Sequence, residues 1–324
     1  MKKILLAAVA ALAIVGCTQN EEIENLGNKA EINFGTVVSK TTRAAVTENV
    51  DLQNSGFIVY AYNTADAIGV EGIKLGDAFM EGVKVTCPSG TWTIDGTYYW
   101  PYEGKVQFFA YAVDDNAKNY SVAENAKYPT LNYTIKALAS EQKDFVVAKV
   151  TDEVKKSTAV TLKFAHALTQ VNFSVKGADA LTYKVTALAL EGIAKTGTYS
   201  FENDTWNATG TTDASYSYPI AQDASVTGTD AVQLDQVDGA LMLMPQQMTA
   251  AAKIKLSYDV YKNGVKVDVV TNTTIGLNNT AAWEAGKKVR YTLTLSNTAA
   301  TVSFAPEVGP WNTVDDTPVT PPAE

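Results

Sequence analysis

Apolar and polar positions change pattern twice along the chain. Ile4 to Val15 is an unbroken apolar run behind Lys2 and Lys3. From residue 30 onward, short apolar stretches recur between turn residues, and the last residues, Thr317 to Glu324, are rich in proline. Ala30 to Val38 alternates weakly, with Ile32 and Phe34 on one face, and predicts a first strand. Phe57 to Tyr62, Gly82 to Thr86, Trp92 to Ile94, Thr97 to Trp100, Val106 to Val113, Leu131 to Ile135, Phe145 to Val150 and Val160 to Phe164 follow as strand candidates. Asp95-Gly96 between two aromatic stretches predicts a two-residue hairpin. The second half repeats the style in Gln170 to Val175, Leu181 to Leu190, Thr198 to Phe201, Ser215 to Ile220, Ala240 to Met244, Ile254 to Tyr261, Val265 to Val270, Val289 to Leu295 and Thr301 to Phe304. Asn263-Gly264 suits a type I′ turn, which needs positive φ at both central positions. Helical periodicity is almost absent; Ala281 to Gly286 has room for one turn. Many short strands with turn signals between them predict an all-β chain built of β-sandwiches.

The first apolar run is too short to cross a bilayer as a helix, and it ends at Gly16-Cys17. A basic start, an apolar centre and a small residue before cysteine predict a bacterial lipoprotein signal over residues 1–16, with lipid on the Cys17 thiol. Each buried methylene of an acyl chain adds about 0.8 kcal/mol, so two or three chains anchor stably where one does not. Everything after Cys17 is then expected outside the cytoplasm. Residues 17–29 read as an acidic tether, 30–163 as an N-terminal β-sandwich, 164–312 as a C-terminal one and 313–324 as a disordered tail.

Composition narrows the function. The chain has 324 residues, 46% hydrophobic and 10% aromatic, which is enough for large cores. A net charge of -9 disfavours a nucleic-acid partner, because phosphate binding needs a basic face. With Cys17 lipidated, Cys87 is left alone and no disulfide is expected within the chain.

Candidate chemistry is sparse. One histidine, His166, rules out multi-histidine zinc motifs, and it is expected at a strand corner, bonded to backbone. Asp114-Asp115 and Asp315-Asp316 read as solvated turns, since neighbours on a strand point to opposite faces. Asp114-Asp115-Asn116 lacks the Gly and Glu of an EF-hand loop, and no phosphate-cradling loop is present. No catalytic residue, metal site or cofactor is expected. The aromatic cluster of Trp92, Tyr98, Tyr99, Trp100 and Tyr102 reads mainly as core, with a sugar platform as the other possibility. The chain has two arginines. Arg290 sits in a predicted strand, whereas Arg43 lies among Ser, Thr and Ala, where local opening for a protease costs little.

Several stretches stand together in order: Trp92 with Tyr98-Tyr99-Trp100-Pro101, Phe108-Phe109-Ala110-Tyr111, and Phe164 to Phe173 with its Phe-Ala-His-Ala-Leu-Thr start. Leu243-Met244-Pro245-Gln246, Trp283-Glu284-Ala285-Gly286-Lys287 with Tyr291, and Pro310-Trp311 complete the set. Behind a lipoprotein signal, this set resembles the fimbrillin family of Bacteroides-type bacteria, including the Mfa-like proteins, over nearly the whole mature chain. The resemblance implies two tandem transthyretin-like β-sandwiches and a non-enzymatic subunit of surface fimbriae. It also implies a lipoprotein of the outer membrane that enters the fimbrium once an Arg-specific protease removes the N-terminal segment. A strand of one subunit then fills the groove opened in the next. On that likeness Ile32 to Val38 is the strand lost, the cut falls between Arg43 and Ala44, and the donor strand lies within Thr301 to Trp311, with Thr301, Val302, Ser303 and Phe304 as its residues. The implied partners are copies of itself or other fimbrial subunits, the outer membrane through the lipid, and a ligand on a host or bacterial surface. The alternative is a surface lipoprotein that binds glycans and does not polymerise.

Overall fold

The computed structural model describes residues 29–38, 49–210, 215–221, 224–235, 239–278, 280–297, 300–302 and 307–310. The elements run β1 (Phe34–Val38), α1 (Asn49–Ser55), β2 (Phe57–Thr64), β3 (Ala78–Thr86), β4 (Thr93–Ile94), β5 (Lys105–Ala112), β6 (Ala117–Ser121) and β7 (Thr130–Thr134). Next come β8 (Val146–Glu153), β9 (Val160–His166), β10 (Thr169–Gly177), β11 (Thr182–Glu191), β12 (Thr196–Ser200), β13 (Thr205–Thr209), β14 (Ser215–Ser217) and β15 (Ser225–Thr227). The last are β16 (Val232–Gln233), β17 (Leu241–Leu243), β18 (Lys253–Lys262), β19 (Val265–Gly276), β20 (Lys287–Leu295), β21 (Ala300–Val302) and β22 (Glu307–Pro310). The chain is nearly all β, as its pattern predicts.

Four sheets form among the described residues. The first has the order β1-β9-β8-β5-β2-β3-β4, and a second, four-stranded one the order β13-β12-β7-β6. The third runs β16-β10-β20-β21, with β17 also on β10 and β22 on β20. The fourth runs β14-β11-β18-β19, with β15 also on β11.

The central strands of the first sheet are buried on both faces, which explains why Val106 to Val113 reads as a nearly continuous apolar run. Successive side chains point to opposite faces, so one strand serves two cores. Phe57, Val59 and Ala61 of β2, Phe108 and Ala110 of β5, and Val146 and Ala148 of β8 face one core. Tyr62, Phe109 and Val147 of the same strands face the other. The first core is closed by Phe34 and Val38 of β1, Val160, Leu162 and Phe164 of β9, Leu52 of α1 and Trp100. The second is covered by Leu131 and Tyr133 of β7 and Tyr199 of β12, and runs on into the remaining two sheets. There Val171, Phe173 and Val175 of β10 and Tyr291 and Leu293 of β20 pack with Leu188 and Leu190 of β11 and Leu256 and Tyr258 of β18.

The β12–β13 hairpin lies far along the chain, yet β12 pairs along its length with β7, from Thr196↔Thr134 to Ser200↔Thr130. β9 runs unbroken through residues 163 and 164. Asn263 and Gly264 have φ of 50° and 78°, as a type I′ turn requires. Asp95-Gly96 departs from expectation. Thr93 and Ile94 pair with Thr86 and Val85 of β3 instead of with the stretch after the glycine. Tyr98 to Trp100 turns away to the N-terminal segment, because Trp100 is needed in the core that segment closes. Ala281 to Gly286 contains no helical turn. The one α-helix among the described residues, α1, has acidic Asp51 in its first turn and leaves no apolar pattern, since Leu52 alone of its side chains described is buried.

Candidate assembly site

The site is the N-terminal edge of the first core. Ala30 to Val38 enters along residues 98–100: Ile32 N–H donates to the Tyr98 carbonyl at 2.8 Å, and Trp100 N–H to the Ala30 carbonyl at 2.9 Å. β1 then runs parallel to β9, with Phe34 beside Val160 and Val38 beside Phe164. It ends its sheet and has β9 as its one ladder partner among the described residues. Ile32, Phe34, Thr36 and Val38 point inward and are buried. Phe34 packs edge-on against Phe57 at 5.8 Å between ring centroids and against Phe108 at 5.6 Å. Trp100 also meets Phe108 edge-on at 6.0 Å. An edge strand held by one ladder thus fills the middle of an aromatic core.

The C-terminal end lies on the far sheet. Thr301 and Val302 belong to β21, antiparallel to β20, with Val302 opposite Leu293 and Thr301 opposite Thr294. β22 pairs further back along the same strand, from Lys287↔Pro310 to Arg290↔Glu307. Both segments are short. Ser303, Phe304 and Trp311 lie outside the described residues, as do Cys17, Arg43 and Ala44 with the whole leader.

Arg290 is held firmly. Its guanidinium donates to both carboxylate oxygens of Asp235, to the Phe173 carbonyl at 3.0 Å and to Ser174 Oγ at 3.3 Å. The two side chains are only 20% and 11% exposed. No apolar period announces such a pair, because Asp235 lies just past β16 and Arg290 within β20, 55 residues apart in the chain.

His166 ends β9 and its Nδ1 lies 2.7 Å from Asp144 Oδ2, both side chains being buried. A carboxylate from the loop before β8 is thus a partner that the strand-corner reading did not foresee. Cys87 is buried, and burial pushes its thiol up, which leaves it a poor nucleophile. Asp114 accepts from Tyr133 Oη at 2.7 Å and from the Asn116 backbone, so it serves a turn. The aromatic cluster divides: Trp100 is core, whereas Tyr99 and Tyr102 are 42% and 94% exposed. A groove of about 450 Å³ runs past Trp206, Gln247 and Glu284.

A family model described as fimbrillin-like matches residues 42–311. The fimbrium subunit Fim1C of Phocaeicola vulgatus is 29% identical over 380 residues, covering 98% of this chain and 98% of that protein. A crystal structure of a fimbrial protein from Bacteroides vulgatus aligns with a TM-score of 0.66 at 23% identity, over 88% of this chain and 100% of the other. One described as a cell adhesion protein, from Bacteroides uniformis, aligns with a TM-score of 0.54 at 17% identity, over 88% and 99%. These likenesses support a fimbrillin-type structural or adhesive role, not an enzymatic one. The chain belongs to the fimbrillin-like family.

Proposed function

We propose that this protein is a structural and adhesive subunit of surface fimbriae, assembled by donor-strand exchange. It is made as an outer-membrane lipoprotein on Cys17, and a cut between Arg43 and Ala44 removes the leader together with β1. We read residues 30–163 and 164–312 as tandem transthyretin-like sandwiches, with the β12–β13 hairpin lent by the second to the first. The observation that carries the proposal is the placement of β1. It is five residues long, sits on an edge, and supplies Phe34 and Val38 to a core whose other members, Ile32 and Ala30 apart, all follow Arg43 in the chain. Removing it uncovers Phe57, Phe108, Leu162 and one side of the β9 backbone. A strand with apolar side chains at alternate positions restores both the ladder and the pockets. Val302 and Phe304 are spaced in that way, and we assign Thr301, Val302, Ser303 and Phe304 as the donor. β21 is three residues long, so freeing it from β20 costs few ladder bonds.

The lock on Arg290 supports selective cutting. A protease must draw an extended segment into its cleft, and the Asp235 pair and the β20 ladder oppose that at Arg290. The test is limited digestion of the full chain with an Arg-specific protease, read by intact mass and electron microscopy. One product beginning at Ala44 is expected, with fibres appearing only after the cut; Arg43→Ala should prevent both. Deletion of Thr301 to Glu324 should allow the cut but no fibre. First cleavage at Arg290, or normal fibres from either variant, overturns the proposal. A cut, monomeric protein retained on polysaccharide would favour glycan binding instead.

A further inference from the structure

The groove beside the β12–β13 hairpin has a volume of about 450 Å³, within the range of about 300–1,000 Å³ that ligand clefts occupy. It is built from Asp204 to Trp206 at the start of β13, Pro245 to Gln247 after β17, and Ala282 to Ala285 before β20. A second hollow of about 400 Å³ adjoins it, and the two share Asp204 and Ala285. The path is therefore longer than one small ring needs.

Most polar groups around the groove are spent on the fold. The Trp206 indole donates to the Ala167 carbonyl at 2.5 Å, and the Trp283 indole to Tyr291 Oη at 2.9 Å. With both N–H groups engaged, what the two rings lend the groove is carbon surface. Trp206 is half-buried and held by the rings of Tyr199 and Tyr133, which meet it at 63° and 65°. Gln246 donates to the Met244 carbonyl and accepts from the Ala194 N–H. Asp204 accepts from Tyr199 Oη at 3.1 Å and pairs with Lys149 at 2.9 Å. The Thr205 hydroxyl donates to Asn203 Oδ1. Gln247 and Glu284 differ: both are exposed, and neither side chain has a hydrogen-bond or ion-pair partner among the described residues.

A ligand that fits must donate to a carboxylate, exchange hydrogen bonds with a primary amide and lay an apolar face against an indole. An anion is opposed by Glu284 and by the net charge of -9. A cation is opposed by Lys149, which stands at Asp204 on the wall between the two hollows. An uncharged pyranose meets every demand, since its faces carry C–H groups and its rim carries hydroxyls that donate and accept.

We propose that this groove binds a neutral oligosaccharide. One hexose ring lies on Trp206 with its hydroxyls on Glu284 and Gln247, and the sugar chain continues past Asp204 into the adjoining hollow. The proposal rests on the adhesive part of the function proposed above and not on strand exchange. The exposed aromatics Tyr99 and Tyr102 take no part in it. Two side chains and one ring make a weak contact, and repetition of subunits in a fimbrium raises its avidity.

The test is affinity electrophoresis of the full chain carrying Cys17→Ser through gels containing mannan, galactan or a β-glucan, with polygalacturonate as the acidic comparison. At least one neutral polymer should retard the protein, and polygalacturonate should not. Because Glu284 and Gln247 are exposed and unpartnered, Glu284→Ala and Gln247→Ala should keep the fold, read by near-ultraviolet dichroism. They should weaken retardation about tenfold and about threefold, the scale of a charged and a neutral hydrogen bond. Tyr102→Ala should change nothing. No retardation by any neutral polymer, undiminished retardation of Glu284→Ala, or loss on Tyr102→Ala overturns the proposal. Fibre formation is scored on the same variants. Fibres lost from Glu284→Ala while retardation stands would make the groove a contact between subunits instead. A failure of strand exchange removes fibres and leaves retardation as it is, so the two readings fail separately.

Discussion

Tyrosine carries an unusual share of the packing, and its acid–base chemistry is coupled to the fold. Tyr60 stacks on Tyr120 with ring centroids 3.6 Å apart, and Tyr62 Oη donates to Tyr120 Oη at 3.3 Å. Tyr111 stacks alongside, 6.3 Å from Tyr120. Burial, followed by the neighbouring phenols, pushes Tyr120 and Tyr111 well above the ordinary tyrosine range. Burial raises Tyr60 and Tyr62 in the same direction. In the unfolded chain these phenols ionise near pH 10. A folded-state pKa above the unfolded one means that stability is fully present below about pH 10 and is lost as pH rises through the folded values. Thermal midpoints should therefore be flat from neutral pH to about 9.5 and then fall steeply. Phenolate absorbance from the buried rings should appear with unfolding, not before it. Ionisation of these rings in the folded protein, with no loss of stability, would contradict the burial described. At this scale the sequence is a poor guide to partners. The aromatic cluster after Trp92 contains both a core residue, Trp100, and a nearly bare Tyr102, and spacing alone does not separate them. The Asp144–His166 and Asp235–Arg290 contacts join residues 22 and 55 apart, beyond the reach of any local pattern.

Strands with a period of two and turns with a required φ are legible, and elements defined by what they pair with are not. β2, β5, β8, β10, β18 and β20 lie where apolar alternation or apolar runs predict them, because burial imposes that pattern. β6 has intermediate and exposed positions only, and α1 has a single buried residue among those described, so neither leaves a hydrophobic trace. β1 falls between these cases. Its alternation is weak in sequence because Gly35 and Thr36 dilute it, yet Phe34 sits at the centre of the first core. Phe34→Ala should destabilise the intact chain by about 3–5 kcal/mol, the usual range for a buried Phe. If maturation removes β1, the same substitution should have no effect on the cut protein, since its site has left with the leader. Urea denaturation of both forms, with and without Phe34→Ala, measures the two differences. A penalty that persists after a cut at Arg43 would mean that β1 stays bound in place.

Over the whole molecule, how the two stretches proposed as sandwiches join is the feature that local patterns describe least well. A composition shift or a proline-rich linker marks a boundary only where few contacts cross it. Here the second core joins Tyr62, Phe109 and Phe145 from the first half to Phe173, Tyr258 and Leu293 from the second. The β12–β13 hairpin provides the bridge. Tyr199 packs edge-on against Phe201 at 5.1 Å, and Phe201 in turn meets Phe109 on β5 at 5.5 Å. Trp206 donates through its indole to the Ala167 carbonyl and meets Tyr133 at 6.2 Å. Lys149 on β8 donates to the Phe201 carbonyl at 2.6 Å, close to its ion pair with Asp204 at 2.9 Å. Without the hairpin, β7 loses the ladder with β12 that runs its whole length and keeps β6 on its other side, and Leu131 and Tyr133 lose the cover of Tyr199 and Trp206. Two halves sharing a sheet and a core should unfold together, so calorimetry of the full chain should show one transition with equal calorimetric and van't Hoff enthalpies. Phe201→Ala should lower that single transition by about 3–5 kcal/mol without splitting it. A fragment of residues 30–163 should collapse without fixed aromatic packing, seen as far-ultraviolet dichroism without a near-ultraviolet signal. Two resolved transitions, or a native-like near-ultraviolet spectrum from the fragment, would show that the hairpin only rests on the first half.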